Sequence, residues 1–85
     1  MRLALIDTGA IFAIANRNEM RHAVALRTAR AWLVARNKFV LLDWVFDEAM
    51  TLLKSRLGSG VAVHTGRDLR HNPVYHWALH ADAGR

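Results

Sequence analysis

Leu3-Ala4-Leu5-Ile6-Asp7-Thr8-Gly9-Ala10 is the stretch that decides the fold of this 85-residue chain. Residues 2–6 are short and nearly all apolar, the pattern of a strand buried on both faces of a parallel sheet. Thr8 is suited to cap a following helix, and Gly9 lets backbone approach closely. Residues 9–15 then read as a short apolar helix, broken by Asn16-Arg17-Asn18. Asp7 therefore stands where a strand ends and a helix begins.

Working outward, a second helix is predicted from about Met20 to Val34. Ala25, Leu26, Ala29, Trp32 and Leu33 recur at the spacing of one buried stripe, with Arg27 and Arg30 together on another side. Asn37-Lys38 turns the chain, and residues 39–42 read as a second buried strand. Asp43 is a good N-cap for a third helix, roughly Trp44 to Leu57, and Gly58 a good C-cap. At 100° per residue, Val45, Phe46, Ala49, Met50, Leu52, Leu53 and Leu57 cover one broad arc. Glu48 borders that arc, at the edge of the core, and Asp47 points nearly opposite its centre, toward solvent. A fourth helical stretch, about Val61 to Arg70, follows Ser59-Gly60. Beyond Asn72-Pro73, residues 74–79 suit a strand or a helix start. The order β-α-α-β-α-α, then β or α, argues an α/β fold with a parallel sheet. No repeat, linker or low-complexity segment divides residues 1–85, which read as a single domain.

The hydrophobic fraction, 53%, is high for so short a chain and argues against disorder. Excess apolar surface on a small domain points to a partner or to self-association. Cysteine is absent, which excludes disulfides and thiolate metal sites. The apolar runs are too short to span a membrane, and the N-terminal stretch lacks a signal peptide's long apolar core, so a cytoplasmic protein is expected. The net charge of +5 comes almost wholly from arginine, since lysine stands only at positions 38 and 54. Arginine suits bidentate recognition of phosphate or carboxylate, so RNA or an acidic protein segment is the expected partner class. A solvated basic face that keeps the domain soluble is the plainer reading.

Asp7-Thr8-Gly9-Ala10, Glu19-x-x-His22-Ala23 and Val45-Phe46-Asp47-Glu48-Ala49-x-Thr51-Leu52-Leu53-x-x-Arg56-Leu57-Gly58, in this order, resemble a PIN domain of the VapC toxin type. The resemblance implies a PIN-like α/β fold in the order β-α-α-β-α-α-β, a parallel sheet flanked by helices, with the tail as its third strand. It also implies a Mg²⁺- or Mn²⁺-dependent ribonuclease whose carboxylates hold the ion at the C-terminal edge of the sheet, paired with a cognate antitoxin. Carried over, Asp7 matches the family's first acid and Glu48 its second. Glu19 stands in place of an aspartate, and Asp43 where a small polar residue is usual. Thr8, Glu19 and Asp43 are the supporting candidates. The family's remaining acids belong to a later Ser-x-x-Asp-type segment that has no counterpart here, so the domain is incomplete relative to the family. Asp82 does not replace the missing third acid.

A carboxylate at a strand's C-terminal end, with another on a nearby helix, is how α/β proteins hold a divalent metal over a substrate. Asp7 and Glu48 are therefore the candidate catalytic and metal-binding pair. The plainer readings are a capping aspartate, and a first-turn glutamate that complements the helix dipole or pairs with Arg56. Arg17, Arg21, Arg27 and Arg30 are candidate contacts to RNA or to an antitoxin. His76 and His80 invite a metal reading, yet a closed zinc site needs three or four converging ligands. His22 reads as a structural hydrogen-bonding residue. Trp32, Trp44 and Trp77 read as core or interface. Three functions compete: a metal-dependent ribonuclease, a non-catalytic dimerising or antitoxin-binding module, and a small basic RNA-binding protein. An open sheet edge on so small a domain predicts a homodimer or larger oligomer.

Overall fold

The structure, a computed structural model, describes residues 1–78. It contains β1 (Leu3–Leu5), α1 (Thr8–Ala15), α2 (His22–Val34), β2 (Lys38–Leu42), α3 (Asp43–Leu57), α4 (Ser59–His71) and β3 (Tyr75–Ala78). The tail is a strand through Ala78, and residues 79–85 lie outside the described part. The three strands form one parallel sheet in the order β1-β2-β3. Leu5 sits beside Val40, and Val40 beside His76. Gly58 ends α3 as expected: at φ +93° it occupies a conformation natural to glycine, and its N–H donates to the carbonyls of Leu53 and Lys54.

Each crossover carries the chain one strand further in the same direction. Because such crossovers are right-handed in nearly all folds, both helical connections fall on one face of the sheet. Ile6 and Leu41 point into that side and meet Ile11, Val45, Phe46, Ala49, Leu53, Ala62 and Leu69 in a single core. Leu41 and Leu53 are fully buried. Gly66 lets α4 close on α3, where a Cβ would meet the Met50 sulfur at 3.0 Å. Trp77 packs on Phe46 with ring centres 4.9 Å apart and donates its indole N–H to the Leu69 carbonyl. Arg70 lies over the other partner of that pair, 4.9 Å from the Phe46 ring centre.

Two expectations are corrected here. The first strand is not buried on both faces: Leu3 is 50% exposed and Leu5 69% exposed. Among the described residues, sequential strand order leaves that face without a helix and pairs β1 only with β2. Nor does α2 bury a stripe, since none of its residues is fully buried. It lies over the edge strand, and its inward face is rich in alanine, too small to close the space. A cleft of about 800 Å³ remains between Ala25, Ala29 and Trp32 of α2, Ala10 of α1, and Ala4 and Leu5 of β1. Trp32 tethers the helix end by donating its indole N–H to the Lys38 carbonyl. Trp44 is 46% exposed, so it is no core residue within this chain.

Tyr75 stacks on Phe39 with ring centres 5.9 Å apart. Burial, and secondarily the charge of Asp68, push its phenol above the ordinary value of 10.0. The raised value means that the fold favours the neutral phenol. Its contribution is fully present below pH 10.0 and lost as pH rises through the folded-state value. Chemical denaturation of the protein and of Tyr75→Phe between pH 8 and pH 11 should show the wild type losing stability above about pH 10 and the variant losing less.

Candidate functional site

Asp7 caps α1 with its own side chain. Its backbone is extended (φ −100°, ψ 170°), and Oδ1 accepts the Ala10 N–H at 2.7 Å. Thr8, expected as the cap, is instead the first helical residue. That shift releases its hydroxyl, which donates to Glu48 Oε1 at 2.6 Å across 40 residues of sequence. A Cβ at Gly9 would meet only Asp7 Oδ1, at an ordinary 3.7 Å, so close approach is not what places glycine there.

Thr8 therefore ties the second turn of α3 to the C-terminal end of β1. Asp7, Thr8 and Glu48 form one constellation from two elements, with both carboxylates open to solvent. Glu48 is exposed like Asp47, not at the edge of the core; what separates the two acids is the Thr8 hydroxyl. The Asp47 carbonyl accepts the Thr51 hydroxyl at 3.0 Å. Arg56 lies eight residues from Glu48, about 12 Å along the helix, beyond ion-pair reach.

Replacing Thr8 by valine leaves Glu48 without this donor. Urea unfolding should show a loss of about 1 kcal/mol, with Thr8→Ser near wild type. An unchanged Thr8→Val midpoint would mean that the bond contributes nothing.

The remaining candidates disperse. Asp43 is the first residue of α3 rather than its cap, and its Oδ1 accepts the Trp44 N–H at 2.8 Å. Glu19 makes a long local contact, accepting from the Arg21 N–H at 3.5 Å. Among the described residues no three His, Asp or Glu side chains converge as a metal site would require. His22 donates a ring N–H to the Ala13 carbonyl at 2.9 Å, the structural role expected of it. His76 is exposed on the bare face of the sheet, while His80 and Asp82 lie outside the described residues. Arg17, Arg21, Arg27 and Arg30 are all exposed. Arg27 lines the cleft under α2 together with Asp7, whereas Arg17 borders a second cleft between α1 and α4. The shared cleft of Asp7 and Arg27 escaped sequence reasoning, because no local pattern relates residues 20 apart.

No family model matches the chain, and no curated protein matches it either. Among solved structures it matches VapC20 of Mycobacterium tuberculosis, described as a toxin that cleaves the sarcin–ricin loop, with a TM-score of 0.72 and 25% sequence identity. The match covers 91% of this chain. This chain has a PIN-like fold. It spans only about half of VapC20, 55% of that protein's length. The PIN-like order β-α-α-β-α-α-β predicted from the sequence is the order observed. No helix among the described residues is long and apolar enough to cross a membrane.

Proposed function

We propose that this PIN-like domain acts as a metal-dependent ribonuclease of the VapC type, with Asp7 and Glu48 as the carboxylates that hold Mg²⁺ or Mn²⁺. The observation that carries the reading is the Thr8–Glu48 hydrogen bond, which ties a carboxylate from another element to the residue that follows the strand-end Asp7. The donor set suits a hard cation: both groups offer carboxylate oxygens, and Mg²⁺ commonly takes one or two carboxylates with waters and a substrate phosphate. Oδ1 of Asp7 and Oε1 of Glu48 already accept hydrogen bonds, which orient the two groups and leave a second oxygen on each.

When bound, the ion would supply Lewis-acid stabilisation of the phosphate and an acidified water. The chain's own part is to orient the two carboxylates through Thr8 and the Ala10 N–H, and to draw the RNA backbone toward them. Arg27, across the cleft from Asp7, is the arginine best situated for the second task. Arg17, Arg21 and Arg30 extend the positive surface toward RNA or an acidic antitoxin segment. The place of action is the cytoplasm, and the domain works as a homodimer or larger oligomer.

One observation favours a second reading. Two carboxylates without a third partner among the described residues also suit a module that binds an antitoxin or RNA without cutting. Purified protein incubated with structured and single-stranded RNA, with Mg²⁺ or Mn²⁺ and with chelator, separates the two. Cleavage that requires the metal supports the enzyme. Binding with no cleavage above a chelated control supports the module.

A further inference from the structure

The sequence motif that carries Glu48 also carries Arg56, which the carboxylate site leaves unused. Asp47, Glu48, Thr51, Leu52, Ser55 and Arg56 line one shallow groove on the outer face of α3. At 100° per residue, Glu48, Leu52, Ser55 and Arg56 fall within an arc of about 100°, so they form one track along the helix. Arg56 is exposed and stands about 12 Å beyond Glu48, toward the C-terminal end of α3.

Charge divides this track. Two adjacent carboxylates, Asp47 and Glu48, occupy its N-terminal end, and Arg56 is the one cation among the residues that line it. Thr51, Leu52 and Ser55, between them, are uncharged. An RNA strand whose scissile phosphate sits at an ion held by Asp7 and Glu48 leaves that point over neighbouring surface. On the Asp7 side it meets Arg27. On the Glu48 side the nearest phosphates face the exposed Asp47 carboxylate, which repels them. Further along α3, Arg56 attracts them instead, and its planar guanidinium can donate two parallel hydrogen bonds to one phosphate.

We infer that the outer face of α3 carries the RNA strand away from the metal, with Arg56 binding a phosphate downstream on that path. Nucleotides of a stacked strand advance 3.4 Å each, so 12 Å places that phosphate about three to four nucleotides from the scissile one. This rests on the ribonuclease reading above and adds the course of its substrate. The plainer role for Arg56, a cation that complements the C-terminal dipole of α3, acts on stability and is blind to the length of the RNA.

Arg56→Gln removes the charge and keeps a good helix former. On a ten-nucleotide RNA it should raise KM about fivefold with kcat unchanged, the most that one exposed charge pair commonly contributes. A dinucleotide does not span from Glu48 to Arg56, so its kcat/KM should stay within about twofold of the wild-type value. Arg56→Lys should recover most of the loss on the longer RNA. Fluorescence anisotropy in chelator should show the salt dependence of binding fall by a slope of about 0.7, the share of one phosphate on a single strand. Equal losses on the two RNAs, or a lower melting temperature with unchanged affinity, overturn the track and leave Arg56 to the helix dipole. Binding without metal-dependent cleavage overturns the ribonuclease reading, and the anisotropy of Arg56→Gln then decides the track by itself: a fivefold loss confined to the longer RNA sustains it, and an unchanged affinity overturns it. Wild-type protein that neither binds nor cuts RNA overturns both.

Discussion

Asp7→Asn should abolish metal-dependent RNA cleavage while leaving the fold intact. Asparagine caps helices about as well as aspartate, so the Ala10 N–H keeps its acceptor and α1 keeps its start. What the substitution removes is the negative charge and one anionic oxygen for the cation. A loss of about 3 kcal/mol in transition-state stabilisation corresponds to a rate at least ~100-fold lower, which single-turnover cleavage assays resolve easily. Mn²⁺ titration followed by electron paramagnetic resonance supplies a readout independent of turnover: affinity should fall in Asp7→Asn and again in Glu48→Gln. A variant that cuts RNA and binds Mn²⁺ like the wild type would remove Asp7 from the metal site. Equal thermal unfolding of the wild type and Asp7→Asn in chelator would confirm that the cap survives.

Leu53→Ala should bring the domain close to unfolding. Leu53 is wholly buried where α3 meets the core, and truncating such a residue costs about 2–5 kcal/mol. A domain of this size holds only about 4–13 kcal/mol in total. Urea denaturation should show the midpoint falling by a large fraction, or a chain already partly unfolded in buffer. Val63→Ala, on the exposed side of α4, should shift stability by no more than about 0.5 kcal/mol. Comparable losses for both variants would mean that the core is not organised around α3 as described.

Much of the scaffold was legible in local pattern. The apolar runs ending at Ile6 and Leu42, the 3.6-residue period of α3, and Gly58 as its terminator depend on neighbours a few residues apart. The carboxylate at Asp7 was legible as a strand-end acid. Its tie to Glu48 was not, because it depends on Thr8 being the first helical residue and on α3 crossing near it. Those are facts about residues 40 apart. The stripe on α2 misled for a related reason: Ala25, Ala29 and Trp32 carry the period of a buried face whatever lies opposite. Here an edge strand and a cleft lie opposite.

The sequence by itself determined the strands and helices from β1 through α4, where α3 stops, and which side chains bring carboxylate and guanidinium chemistry. These follow from side-chain period, capping and turn preferences, all short-range. The tertiary structure alone decided that Leu3 and Leu5 face away from the helices, that β1 pairs with β2, and that Thr8 joins Glu48 to the end of β1. A run such as Leu3-Ala4-Leu5-Ile6 reads the same whether one face or two are covered. Strand order and crossover hand settle which faces receive helices, and neither is written in any local stretch.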